Sequence, residues 1–431
     1  SHKTNKKESS MKKTIVVMVS LLLIMGNIFA AGANEAASAD SNTPKPVTLY
    51  LWDSTAKIAQ NNNVEAEFEA AYPQYDLIIE PYTFADLESK ALLKHSTGDD
   101  CDVIQINNYS VAPFVEAGIL MPLDDWIKDV GLDLSTYAPA LSNVGIVDGV
   151  RYATAFDADC RILAFNKVIL AECGMTEADL ATTDGVMEFA RKANEKGYYA
   201  MAGQVSKNVF CIYDLGGFML CWGTRMYEEV DGKYVSQLTK PEVADYMEWA
   251  VEMYKYMPKD TNIDDTMARS MFAQGKVAML WWTPSQVNSV LPKFANPDDV
   301  GFLPMPTGPT GVRASAAGGY LIGVGSNTKN KEGSLAFMEW LNKPENLYKL
   351  CRGLPADTNG FKYGGYDSYK YDMFKEQLAT ANFPVPLITI YTEVAEAWST
   401  YYTEALLGEK SIAEAIALGD KAVTEKLKQV N

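Results

Sequence analysis

The chain has 431 residues, 38 basic and 55 acidic, with a formal charge of −17, 48% hydrophobic content and two histidines, His2 and His95. That length exceeds the roughly 250–300 residues at which a single hydrophobic core stops growing, so two lobes are expected. The acidic balance excludes nucleic acid and anionic membrane surfaces as partners, because phosphate binding needs a basic stripe. Two histidines exclude multi-histidine zinc sites and HExxH helices, and a Ser-His-Asp triad would have to use His95 in the polar stretch Leu92–Thr97.

In chain order, the first signal is an address. Met11 is followed by Lys12 and Lys13, an apolar run from Thr14 to Met25, and small residues through Ala33, the pattern of an export signal spanning 11–33 with cleavage after Ala33 or Ala30. Five lysines and one glutamate leave with residues 1–33, so 38 basic and 55 acidic side chains become 33 and 54, a net −21. No cysteine precedes Cys101, so no lipoprotein cysteine is expected, and the exported chain is placed in the periplasm. Residues 34–46, rich in Ala, Ser, Asn and Pro, read as a flexible leader. The six cysteines contain no CxxC and read mostly as buried thiols.

Strand and helix signals then alternate. Val47–Trp52 is a β-rich run; Val64, Phe68, Ala71 and Tyr72 recur at helical spacing until Pro73; Leu77–Glu80 is a strand, Asp86–Lys94 a helix, Asp102–Ile106 a buried strand and Ser110–Glu116 a short helix. Later come strand Ile162–Phe165, helices Thr183–Glu195 and Pro241–Tyr256, strands Ala278–Trp282 and Leu321–Val324, and helix Glu332–Leu341. The alternation predicts an α/β fold with mainly parallel sheets covered by helices.

In such sheets ligands bind outside the carboxyl ends of the strands. The segments there are Trp52-Asp53-Ser54-Thr55, Asn107-Asn108-Tyr109-Ser110, Phe156-Asp157-Ala158-Asp159, Trp281-Trp282-Thr283-Pro284-Ser285 and Gly318-Gly319-Tyr320. Each couples aromatic or small residues with polar groups. Flat rings suit the C–H face of a sugar, and carboxylates and amides suit its hydroxyls.

Six further motifs in order carry a resemblance: Glu67-Phe68-Glu69-Ala70-Ala71-Tyr72-Pro73; Gly98-Asp99-Asp100-Cys101-Asp102-Val103-Ile104; Phe114 to Asp124; Arg151-Tyr152-Ala153 leading to Ala164-Phe165-Asn166-Lys167; Phe272 to Met279; and Leu303 to Pro309. From about residue 46 to the end the chain resembles the extracellular solute-binding proteins of carbohydrate ABC transporters. The resemblance implies a two-lobed periplasmic-binding-protein fold of type II, with lobes at 46–157 plus 314–350 and 158–312 plus 351–431. It implies a monomer that closes on a mono- or oligosaccharide and delivers it to membrane permease subunits, without cofactor or metal. Carried over by position, Asp53, Ser54, Asn107, Asn108, Tyr109, Asp159 and Trp282 contact ligand, with Asp157, Tyr320 and Arg352 as further candidates and Trp282, Trp52 or Tyr109 as stacking platforms.

Two enzymatic alternatives stand beside this. Asp159-Cys160-Arg161-Ile162-Leu163-Ala164-Phe165 also resembles the nucleophile strand of thiaminase I, an exported enzyme on the same fold, which would make Cys160 catalytic. Thr283-Pro284-Ser285 stand where that enzyme's glutamate base should fall. Asp157 and Asp159, two apart on a strand and about 6–7 Å between Cα atoms, could pair as the acid and base of a glycosidase.

Overall fold

The computed structural model describes residues 43–207, 216–382 and 385–431. The export signal at 11–33, most of the 34–46 leader, and Cys211 lie outside the described residues. Two short hairpins aside, Ile146–Val147 with Val150–Arg151 and Tyr227–Val230 with Lys233–Ser236, the strands in chain order are β1 (Lys45–Trp52), β2 (Tyr75–Tyr82), β3 (Val103–Asn107), β4 (Ala153–Ala155), β5 (Asp157–Cys160), β6 (Ile162–Asn166), β7 (Met279–Trp282), β8 (Val300–Leu303), β9 (Ala317–Gly318), β10 (Tyr320–Val324) and β11 (Leu354–Pro355).

The strands form a five-stranded sheet, β2-β1-β3-β10-β4, a three-stranded sheet, β7-β6-β8, and a small crossing sheet in which β5 pairs with β9 and β11. β1 is parallel to β3. β10, however, is antiparallel to both β3 and β4, and β6 is antiparallel to both β7 and β8. The α/β class holds, but the expectation of mainly parallel sheets is corrected: both main sheets are mixed or antiparallel. The reason is the route of the chain. It leaves the first sheet through β5, makes a long excursion through the second, and returns through β9 into β10, which enters between β3 and β4 from the opposite end.

Helix signals stop where expected. Thr183–Glu195 is a helix whose N-cap Thr182 accepts from the Gly185 amide through its hydroxyl at 3.2 Å. The Val64–Ala71 helix buries Val64 and Phe68, and Phe68 meets Phe337 and Trp340 edge-on.

Two hydrophobic cores result, and strand alternation divides them. On β6, Ile162 and Ala164 join a cluster that runs on from the five-stranded sheet to Phe272, Trp282 and Phe294, while Leu163 and Phe165 join the other. On β7, Leu280 and Trp282 go with the first and Met279 and Trp281 with the second. The second core is closed by helices Pro241–Lys255, Tyr391–Leu406 and Ile412–Leu427. The helix Asp372–Leu378 buries Phe374 and Leu378 in the first.

β5 is gripped at very short range. Gly319, with φ of 149°, joins β9 to β10, and a Cβ there would stand 2.2 Å from the Asp157 carbonyl oxygen; a Cβ on Gly353, just before β11, would stand 2.3 Å from that of Ala158. Only glycine lets backbone approach backbone this closely. Gly319→Ala is expected to cost about 1–3 kcal/mol through overpacking and strain. Urea unfolding with an unchanged midpoint would show that the crossing sheet yields instead.

Candidate functional site

The crossing sheet places the polar residues. Asp157 and Asp159 alternate with Ala158 and Cys160 along β5, so the two carboxylates share a face. Asp157 is 1% exposed, and its Oδ2 accepts from the backbone amides of Arg352 at 2.7 Å and Gly353 at 2.6 Å. Burial pushes this carboxyl up to about 7, against the pull of the Gly353 amide. Asp159 Oδ2 accepts from Arg161 Nη1 at 3.1 Å, whereas its Oδ1 is buried with no hydrogen-bond partner. Burial raises Asp159 too, with Arg161 opposing.

Arg352 and Tyr320 extend this floor. Arg352 Nη1 donates to Tyr320 Oη at 3.1 Å, and its guanidinium carbon lies 5.7 Å from the Tyr320 ring centre. Burial pushes the Tyr320 hydroxyl up to about 12, with Arg352 pulling the other way. The Trp52 ring meets Tyr320 edge-on at 4.6 Å and carries Phe84 on another side at 4.8 Å. Across the cavity, the helix Asp265–Ala273 presents Asp265 and Arg269, whose Nη2 donates to the Asp265 carboxylate at 2.9 Å in an i,i+4 pair.

These groups, with Phe84, Thr283 and Ser285, line about 820 Å³ of open cavity. Arg161, Asp265, Arg269 and Thr283 also line an adjoining chamber of about 480 Å³, where Trp281 and Gln286 form further wall.

Of the sequence-expected residues, the structure brings Asp157, Asp159, Tyr320 and Arg352 to this cavity, with Trp52 1% exposed behind Tyr320 and Phe84. Trp282 is a correction. It is fully buried, walled by Phe272, Phe294 and Phe302 at 5.6 to 6.3 Å, so it offers no face for stacking. Its neighbour Trp281 is the tryptophan at the chamber, on the opposite side of the strand.

The other expected positions lie elsewhere. Asn107 is buried and donates from Nδ2 to Glu88 Oε1 at 2.9 Å. Asn108 and Tyr109 line a separate hollow of about 680 Å³ with Asn143 and Leu387, and Tyr109 stacks on Tyr391 at 5.7 Å. Asp53 and Ser54 are exposed at the start of the helix Asp53–Asn61, with Asp53 Oδ1 accepting from the Ser54 amide. None of these five lines the Asp157–Arg352 cavity. Sequence reasoning missed Phe84, Arg161, Asp265, Arg269 and Trp281; the only signals were the i,i+4 spacing of Asp265 and Arg269 and the alternation that turns Arg161 away from Cys160.

The structure does not favour the enzymatic alternative at Cys160. This residue is fully buried, its thiol donates to the Phe374 carbonyl at 3.5 Å, and burial raises its pKa well above the ordinary thiol range. A thiol held protonated and turned from the cavity is no nucleophile. The five described cysteines are all buried and free. The Asp157–Asp159 pair does not resemble an exposed acid and base, since Asp157 is spent on backbone amides.

Comparisons with known proteins agree with this architecture. A family model described as bacterial extracellular solute-binding protein matches residues 54–347. Among curated relatives, a putative binding protein of Brucella abortus is 24% identical over 397 residues, 88% of this chain and 92% of the relative. The diacetylchitobiose binding protein of Streptomyces coelicolor is 23% identical over 345 residues, 76% of this chain and 78% of its own. Among solved structures, a sugar-binding protein of Xanthomonas citri superposes with a TM-score of 0.78 at 19% identity, covering 89% of this chain and 98% of that one. The acarbose-binding receptor of Streptomyces glaucescens gives 0.77 at 20%, covering 89% and 99%. The fold is thus the two-lobed α/β binding-protein fold.

The raised Asp157 carboxyl predicts a pH signature. Its ordinary value is 3.8 and its folded value about 7, so the stability it contributes is fully present below 3.8 and lost as pH rises through 7. Asp157→Asn retains an acceptor for both amides and cannot ionise. The melting temperature of the wild type relative to this variant is expected to fall steadily from pH 4 to pH 8, and parallel profiles would refute the assignment.

Proposed function

The chain belongs to the bacterial extracellular solute-binding protein family, and from that premise we propose that its cavity captures a carbohydrate, closes over it and delivers it to an ABC importer. The family is one of binding proteins, not enzymes. The observation that carries the carbohydrate reading is Asp159: its Oδ1 is a buried acceptor with no partner of its own beside a guanidinium donor. Neighbouring sugar hydroxyls meet that requirement by donating to the carboxylate and accepting from the arginine. Asp265 with Arg269 repeats the pairing across the cavity, and Phe84 and Trp281 supply rings for the sugar's C–H faces. The diacetylchitobiose- and acarbose-binding relatives support the same class.

The moving lobes are residues 46–157 with 314–350 and residues 158–312 with 351–431, with the crossing strands as hinges. A ligand drives closure only by touching both sides, because it shifts the equilibrium by its differential affinity for the two states. Residues 11–33 export the chain to the periplasm, and the closed monomer docks on permease subunits in the membrane.

A thermal-shift screen over mono- and oligosaccharides, polyols and thiamine tests this reading, since a closing ligand must raise the melting point. A saccharide is expected to stabilise and thiamine is not; a screen in which no carbohydrate stabilises would reject the proposal. Phe84→Ala is expected to weaken saccharide binding by about 1–3 kcal/mol. Trp282→Ala is instead expected to cost about 3–5 kcal/mol of folding stability. Calorimetric titration and denaturant unfolding of the two variants separate these effects, and the reverse pattern would restore Trp282 as the platform.

A further inference from the structure

Three carboxylates and three guanidinium groups line the cavity, and they do not cancel evenly. Asp159 pairs with Arg161 at 3.1 Å and Asp265 with Arg269 at 2.9 Å. Asp157 spends its Oδ2 on the amides of Arg352 and Gly353 and is almost wholly buried. The Arg352 side chain donates to Tyr320 Oη and stands over the same ring; its charge acts on Asp157 and Asp159 through space, but no described carboxylate forms an ion pair with it.

We propose that the captured saccharide bears a carboxylate, as a uronic acid or an oligosaccharide ending in one, and that the Arg352 guanidinium takes that carboxylate. The inference rests on the carbohydrate reading of the cavity and names the class within it. Guanidinium groups are the side chains best shaped for a carboxylate, which they hold through two parallel N–H donors. Arg352 is held ready for this. Its Nη1 is fixed by the Tyr320 hydroxyl, and Tyr320 is braced edge-on by Trp52, which packs against Phe84. A neutral sugar would leave this half-buried cation without an ion-pair partner at contact distance, since Asp157 is turned to the backbone amides and Asp159 to Arg161. The protein as a whole carries −17, a field that repels anions. An acidic ligand therefore needs a dedicated cation, and the two Asp–Arg pairs remain for its hydroxyls.

The test is calorimetric titration of the exported protein with D-galacturonate, D-glucuronate and oligogalacturonides, with D-galactose, D-glucose and galactose oligomers as neutral matches, and with galactose 1-phosphate as a second anion. The acid is expected to bind roughly 10- to 100-fold more tightly than its neutral match, the range of a hydrogen bond to a charged group. Arg352→Gln should collapse that ratio towards one, and Arg352→Lys, which keeps the charge but loses the fork, should recover part of it. Three results would overturn the inference while leaving the carbohydrate reading in place: neutral sugars binding as well as the acids, the phosphate sugar outcompeting the uronates, or Arg352→Gln weakening acid and neutral ligands by the same factor. If no saccharide of either kind binds, the carbohydrate reading fails and this inference falls with it.

Discussion

A buried carboxylate at the crossing of the chain holds the cavity in place. Asp157 accepts from two successive backbone amides, at Arg352 and Gly353, and so ties the outgoing strand β5 to the last crossing segment. Gly319 and Gly353 let the other segments approach β5 so closely that no Cβ would fit. An isolated buried carboxylate is expensive unless hydrogen-bonded, and here the partners are main-chain groups that side-chain substitution at Arg352 leaves intact. One interaction therefore fixes three consequences: the register of the crossing sheet, the direction of Asp159 two residues on, and the point from which the Arg352 side chain reaches the cavity.

The second constraint is the pleat of β6 and β7. Because both strands are buried on both faces, each divides its side chains between two cores. Trp282 pairs across from Ile162 and Trp281 across from Leu163, so one register step separates a core tryptophan from a cavity tryptophan. The first is surrounded by Phe272, Phe294 and Phe302; the second meets Phe218 and the chamber that continues to Arg161. A core position and a chamber wall thus occupy adjacent residues with the same side chain.

That adjacency explains what could and could not be read from sequence. Val47–Trp52 and Asp102–Ile106 are apolar runs bounded by polar residues, and their strands are legible. Strand direction is not, because whether β10 runs with or against β3 depends on the long excursion between them and on no local residue. Asp159 is legible from its place seven residues before Asn166 in the family resemblance, with Asp157, Tyr320 and Arg352 as further candidates. The face of Trp282 was not legible: Met279-Leu280-Trp281-Trp282 has no polar alternation, so its pattern does not distinguish one side from the other. Asn107–Tyr109 follow a strand, yet a 3-10 turn over Asn108–Ser110 carries Asn108 and Tyr109 to a different hollow. Phe84 lies in a connection with no periodicity, and Asp265 with Arg269 reads as an ordinary surface pair of one helix turn.

The distribution of charge in the cavity bears on how closure could be driven. Each ion pair is made by residues close in sequence, Asp159 with Arg161 on the crossing strand and Asp265 with Arg269 on one helix turn. Such pairs form without help from the opposite side, so they orient donors and acceptors in advance but do not themselves draw the cavity shut. The rings of Phe84, Trp52 and Tyr320 are likewise packed on one another. On the proposed lobe division Arg269 and Arg352 fall on one side of the cavity and Phe84 and Tyr320 on the other. A ligand long enough to touch both sides adds contacts that exist only when the lobes are together, and those contacts determine how far the equilibrium moves.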